Sequence, residues 1–295
     1  RPPGGPGPWD AVPATVGGHD HEVRTYLDCY PCFVRQALSA ARMAGADDGV
    51  QRRVVLGVLD LLRALPDGAT PPEVAYRVHA LVRAEAGHGD PYAAVKESTT
   101  RAALALLPRL TELVTSSADP FATAVRVSIA GNVIDFGVGE EVPDLWATVE
   151  RVLAAPLDTR DLELLRGALD GADHVLFLAD NAGETVFDRV LVETLATTHA
   201  VPVRYAVKGG PVLNDATRDD AAAAGLPGCA TVVDTGSDAP GTTPDLCSPE
   251  FRACYEAAPV VVAKGQANYE TLSEAGPRVF CLLQVKCPVI ARDVG

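Results

Sequence analysis

From Cys32 to about Val114, apolar residues recur at helical spacing. Within Cys32–Met43, Phe33, Ala37, Ala40 and Ala41 form one stripe; between Gln51 and Leu65 the stripe is Val54, Val55, Val58, Leu61, Leu62 and Leu65. Pro71-Pro72 opens a further helix to Arg83, since a first helical turn tolerates proline. Another helix follows Asp90-Pro91 and is expected to run to Leu107, with Pro108 beyond it. Residues 23–138 therefore read as a helical subdomain. Residues 1–22 hold little to bury and read as a flexible leader, in which His19 and His21 are solvated.

The second half changes period. Short β-branched runs at His174–Ala179, Val201–Val207, Thr231–Asp234, Pro259–Ala263 and Val279–Leu283 predict strands. Helices are expected between them at Thr185–Thr197, Ala216–Ala224, Pro249–Ala257 and Tyr269–Ala275. Strand and helix alternating at this rhythm predict an α/β domain over 173–295, with a mainly parallel sheet covered on both faces. The stretch 139–172 reads as a packed helical connection, because Leu145, Val149, Val152 and Leu153 keep helical spacing.

Charge narrows the partners. The 295 residues carry 39 acidic and 25 basic side chains, a formal net charge of −14, which repels polyanions and argues against nucleic acid. No apolar run reaches the roughly 18–20 residues of a membrane span, so a soluble, cytoplasmic protein away from membranes is expected. The composition leaves the oligomeric state open. An odd count of 7 cysteines without a secretory signal argues against a disulfide scaffold.

In an open α/β sheet, ligands sit beyond the carboxyl ends of the strands, and four strand ends here are rich in chemistry. They read Asp180-Asn181-Ala182-Gly183-Glu184, Lys208-Gly209-Gly210 through Asn214-Asp215, Asp234-Thr235-Gly236-Ser237-Asp238, and Lys264-Gly265-Gln266-Ala267-Asn268. Carboxylate and amide oxygens suit a hard or borderline divalent cation that shares a phosphate oxygen. Gly183, Gly236 and Gly265 permit close backbone approach, and Lys264 supplies a positive charge for a phosphoryl group. Each feature has a plainer reading: Asp180 and Asp215 could cap the helices that follow, and the glycine segments could be ordinary turns. Their joint occurrence at successive strand ends favours one metal crevice.

These segments resemble the DUF89 family, also described as the damage-control phosphatases, in its shorter microbial branch. The resemblance is carried by Cys29-Tyr-Pro-Cys-Phe-Val-Arg-Gln-Ala-Leu38, Asp90-Pro-Tyr92, Ile129-Ala-Gly-Asn-Val-Ile-Asp-Phe136, Asp180-Asn-Ala-Gly-Glu184, Asn214-Asp-Ala-Thr217, Gly236-Ser-Asp-Ala-Pro-Gly241, Ala263-Lys-Gly-Gln-Ala-Asn268 and Val285-Lys-Cys-Pro288. It implies a helical region packed on a three-layer α/β/α Rossmann-like domain. It further implies a divalent metal (Mn²⁺, Co²⁺, Ni²⁺ or Mg²⁺) on Asp180, Asn181 and Asp215, and hydrolysis of a small phosphorylated metabolite such as a sugar or nucleotide-related phosphate. Asp180, Asp215 and Lys264 are the expected catalytic residues. Asn132, Asp135, Glu184, Gly236, Ser237, Asp238 and Lys264 are expected to line the substrate site, with the backbone N–H groups of 236–238 on phosphate oxygens.

Two other functions fit parts of the pattern. S-adenosylmethionine-dependent carboxyl methyl transfer suits a Rossmann-like sheet, but no Gly-x-Gly turn follows the first strand; a non-catalytic phospho-ligand binder would share the crevice. The Cys29-x-x-Cys32 pair reads first as structural thiols. Redox chemistry and a soft-metal site completed by Cys287 are the alternatives.

Overall fold

Three amphipathic helices open the fold: α1 (Cys29–Met43), α2 (Asp48–Arg63) and α3 (Pro71–Ala86). Their stripes meet in one core, where Phe33, Ala37, Ala40 and Ala41 pack with Val54, Val58, Leu61 and Leu62 and with Val74, Val78 and Val82. Local chemistry sets the starts. Asp47 accepts the Val50 N–H at 2.8 Å ahead of α2, and Thr70 forms a capping box with Glu73 before Pro71-Pro72. The computed structural model describes residues 23–87, 89–133, 145–155, 157, 159–285, 287 and 289–291. The expected leader, Asp135 and part of the expected 139–172 connection lie outside these.

Four more helices follow: α4 (Ala93–Thr115), α5 (Pro120–Val133), α6 (Leu145–Ala154) and α7 (Thr159–Leu169). Pro108, expected to end its helix, lies inside α4. Leu110 and Val114 beyond it are buried against the sheet. At about 1.5–3 kcal/mol each, they offset the roughly 3 kcal/mol that an interior proline costs. The apolar cores divide the chain between α3 and α4: α4 and α5 share the core of the sheet, while α1–α3 keep their own.

The strands β1 (Val175–Leu178), β2 (Val203–Val207), β3 (Thr231–Asp234), β4 (Val260–Lys264) and β5 (Val279–Leu282) form a parallel sheet in the order β3-β2-β1-β4-β5. Alternate residues serve opposite faces. Val175, Phe177, Val203, Tyr205, Val260 and Val262 face a layer holding α4–α7 and α8 (Thr185–Thr198). Leu176, Leu178, Ala206, Val261 and Ala263 face Phe251 and Tyr255 of α10 (Pro249–Ala257). This is the three-layer α/β/α arrangement with a mainly parallel sheet.

Two further boundaries differ from the sequence reading, and both bear on the site. The helix expected from Ala216 is α9 (Arg218–Ala223), because Thr217 and Asp220 form its capping box. The helix expected over Tyr269–Ala275 is α11 (Gly265–Leu272), which leaves β4 without a loop. Because β1 connects to β2 on one side and pairs with β4 on the other, the strand order reverses there, and a crevice opens at the carboxyl ends of β1 and β4. Asp180 and Gly265 stand at those two ends.

Candidate metal centre and active site

After β1 the chain turns through Asp180 and Asn181 and pairs with the segment that follows β2. Asn181 and Asp215 form an isolated antiparallel bridge. The Ala216 N–H donates to the Asp180 carbonyl, and the Ala182 N–H to the Asn214 carbonyl, each at 2.8 Å. Main-chain hydrogen bonds thus hold Asp180, Asn181 and Asp215 together before any side chain acts. Neither aspartate caps a helix: Thr217 caps α9, and Glu184 stands at the start of α8.

Side chains then orient the oxygens. Asn132 of α5 donates its amide to Asp180 Oδ2 at 2.9 Å and to Glu184 Oε1 at 2.9 Å. Asn181 donates to Glu184 Oε1 at 2.6 Å and to Asp180 Oδ2 at 3.2 Å. With both amide hydrogens engaged, the Asn181 Oδ1 is its atom available to a cation. Gly265 lets Asp180 sit where it does. At φ +80°, a Cβ on Gly265 would lie 1.9 Å from Asp180 Oδ2, so the first turn of α11 abuts that carboxylate.

Asp215 is the undersatisfied member. It is 4% exposed, and its Oδ2 has no hydrogen-bond partner. The Lys208 ammonium is 3.6 Å away and donates instead to the Gly241 carbonyl. Burial pushes the Asp215 carboxyl up to about 6, although Lys208 and Lys96 draw it down. Two carboxylates, one oriented amide oxygen and an orphaned buried oxygen fit a hard divalent cation that completes its shell with water or phosphate. Asp180, Asn181 and Asp215 line a cavity of about 730 Å³ between α1, α3 and the sheet.

Lys264 does not stand in this cavity as the sequence reading expected. It is fully buried, and its ammonium donates to the Ser128 carbonyl at 2.8 Å, Asp188 Oδ1 at 2.7 Å and Glu184 Oε2 at 3.1 Å. Burial alone would lower its pKa, but the Asp188 and Glu184 carboxylates outweigh it and hold Lys264 above the usual lysine range. Ser128 and Tyr205 hydroxyls complete Asp188 at 2.7 and 2.8 Å. Lys264 and Glu184 therefore brace the Asp180–Asn181 turn from behind, since all three donors to Glu184 are internal and no donor place remains on the ammonium for phosphate.

The Gly236-Ser237-Asp238 loop is likewise closed on itself. The Gly236 N–H donates to Asp234 Oδ1 at 3.0 Å and the Ser237 N–H to Thr235 Oγ1 at 3.2 Å, so these groups are not turned to an anion. Asp238 pairs with Arg83 of α3 at 2.6 Å, tying the helical lobe to the sheet. Gly209 packs so tightly on Gly236 that a Cβ would meet backbone at 2.6 Å. Pro240, rather than 236–238, lines the cavity.

Cys29, Cys32 and Cys287 all line the cavity as free thiols. Among the described residues, no group of three His, Cys, Asp or Glu side chains could hold a metal ion, so the soft-metal alternative is not formed there. Burial raises the Cys29 thiol above its ordinary value, the opposite of an activated thiolate. The sequence reading missed Asp188 and Glu270, and gave Gln266 no role of its own. Asp188 follows Glu184 by one helical turn amid apolar residues, and Glu270 follows Gln266 by one turn, spacings that mark shared faces.

A doubly wound α/β sheet with an oxygen-lined pocket at its switch point is the class that fold and site define. Within it, the chain belongs to the family described as the damage-control phosphatase ARMT1-like domain, whose model matches residues 25–295. It is 33% identical over 277 residues to a damage-control phosphatase of Pyrococcus horikoshii, covering 92% of this chain and 94% of that one. It is 37% identical over 276 residues to a damage-control phosphatase of Archaeoglobus fulgidus, covering 90% and 94%. A crystal structure of a DUF89 family protein from Pyrococcus horikoshii superposes with a TM-score of 0.81 at 32% identity, covering 92% of this chain and 95% of that chain. No helix among the described residues is long and apolar enough to cross a membrane.

Proposed function

We propose that this chain is a metal-dependent phosphatase acting on a small phosphorylated metabolite, a phosphate monoester of sugar or nucleotide-related type. The observation that carries this reading is the buried, unpartnered Asp215 Oδ2 beside Asn181 and Asp180, in a cavity large enough for a metabolite. Family membership supports it, since two relatives carry the name damage-control phosphatase.

Asp180, Asn181 and Asp215 would hold a divalent cation, Mn²⁺, Co²⁺, Ni²⁺ or Mg²⁺. Such an ion withdraws charge from a phosphoryl group and favours in-line attack by water. The chain's own contribution is orientation. Asn132 and Glu184 fix the Asp180 and Asn181 head groups, and Lys264 pairs with Glu184 at 3.1 Å. Lys208, 3.6 Å from Asp215, takes over from Lys264 as the cation offered to a phosphoryl group. Residues of α1 and α3 wall one side of the cavity.

The test is phosphate release from a panel of sugar and nucleoside phosphates with each of the four cations. Metal-dependent turnover that disappears in Asp180→Ala and Asp215→Ala supports the reading; turnover retained by either variant with the same metal contradicts it. A flat panel with heat on titrating S-adenosylmethionine would favour methyl transfer instead.

A further inference from the structure

The helix α11 carries a further carboxyl into the cavity, besides those of Asp28, Asp180 and Asp215. Its first residue, Gly265, abuts Asp180, and Glu270 stands five residues on, about 7.5 Å along the helix axis. Helical side chains lean towards the N-terminus, and Glu270 does so: its Oε1 accepts from Gln266 Nε2 at 2.8 Å, one turn back. The carboxyl is thereby carried towards the end of α11 that meets Asp180, and Glu270, Gln266 and the three candidate ligands line the same cavity.

Glu270 has no counter-ion among the described residues. The other titratable or charged groups lining its cavity are Asp28, Cys29, Cys32 and Arg35 from the α1 side, Cys287, and Asp180 and Asp215; α3 contributes only Pro71, Pro72 and Ala75. Burial pushes the carboxyl up to about 7, although the Gln266 hydrogen bond draws it down. Two acceptors of the cavity lining are unmatched: Gln266 Oε1 and, on α1, Gln36 Oε1 are both buried without a partner. A group that arrives with hydroxyls meets acceptors here.

We propose that Glu270 is the general acid of the hydrolysis, giving its proton to the ester oxygen of the departing alcohol. The inference rests on the phosphatase reading above. Water adds its oxygen to phosphorus, the ester P–O bond breaks, and the alcohol leaves with the proton from Glu270. The protons of the attacking water stay with phosphate until one returns to Glu270 through solvent. A carboxyl that remains protonated near neutral pH suits this step, and such transfer contributes about 10²–10⁴-fold to a rate.

The experiment compares wild type, Glu270→Gln and Glu270→Asp on monoesters running from an alkyl phosphate to p-nitrophenyl phosphate. An alkoxide needs the proton, whereas nitrophenolate leaves without it. The expected result is a fall in kcat of about 10²–10⁴-fold on the alkyl ester in Glu270→Gln, with less than about threefold change on p-nitrophenyl phosphate and partial recovery in Glu270→Asp. An equal loss on both esters, or none on either, overturns the proposal. Thermal unfolding and metal titration of Glu270→Gln report whether fold and metal binding survive. If the wild type releases no phosphate with any divalent metal, the phosphatase reading itself fails, and that result is read before any variant is compared.

Discussion

Two carboxylate clusters lie side by side behind the carboxyl ends of β1 and β4, and their hydrogen bonding is opposite. Around Lys264, two carboxylates are matched by an ammonium, two hydroxyls and two amides. Around Asp215, a buried oxygen is left with no donor and a lysine held 3.6 Å away. A saturated cluster stabilises and orients; an unsaturated one has room for a ligand. On the reading proposed here, the difference separates bracing residues from candidate binding residues, although both are acidic, buried and adjacent.

The largest effect is expected where saturation is broken. Lys264→Met strands Glu184 and Asp188 in the interior and should destabilise the chain by about 3–5 kcal/mol, read by urea unfolding. A loss under about 1 kcal/mol would mean that the two clusters do not differ as described.

Metal binding sharpens the contrast from the other side. At a hundredfold excess over the wild-type Kd, Mn²⁺ should raise the unfolding free energy of the wild type by about 2.7 kcal/mol and that of Asp215→Asn by no more than about 0.4 kcal/mol. Thermal melts with and without chelator check this.

Gly265→Ala is expected to cost about 1–3 kcal/mol, because the left-handed backbone strains any side chain and the new Cβ collides with Asp180. It should also weaken metal binding, which Gly276→Ala, at a positive-φ glycine with open space around it, should not.

The smallest stability effect belongs to Asp215→Asn, within about 1 kcal/mol of wild type or slightly above it, because removing an undercompensated buried charge relieves desolvation. The sign follows from the carboxyl being raised in the fold: the unfolded chain ionises more readily, so the charge opposes folding at neutral pH. Between pH 5 and 7 the metal-free wild type should lose more stability than the variant, since both share the loss from the buried Glu270 carboxyl, raised to about 7, and only the wild type adds that of Asp215; equal slopes in urea unfolding would contradict it.

Much of the frame was legible before any coordinates. Apolar stripes at helical spacing located α1–α3, and β-branched runs located all five strands, because burial of those side chains sets both periods. Pro108 misled, since its local cost is overridden by the burial of Leu110 and Val114 further along α4. At the site, Asp180, Asn181 and Asp215 do converge, as strand-end logic expected. Lys264 and the Gly236–Asp238 loop were misplaced for one physical reason. Composition at a strand end says which groups are near a crevice, but not which of them neighbours from distant segments have already engaged. The partners of Lys264 come from Ser128, Glu184 and Asp188, and those of the loop from Asp234, Thr235 and Arg83. Glu270 escaped notice because its burial depends on α11 starting at Gly265, a boundary no periodicity marks.

The most direct test of the central claim is calorimetric titration of Mn²⁺ into metal-free wild type and Asp215→Asn, with circular dichroism confirming that both are folded. The account predicts one ion bound per wild-type chain and affinity at least about a hundredfold weaker in the variant, a difference of about 2.7 kcal/mol. Equal binding by the two proteins would contradict it.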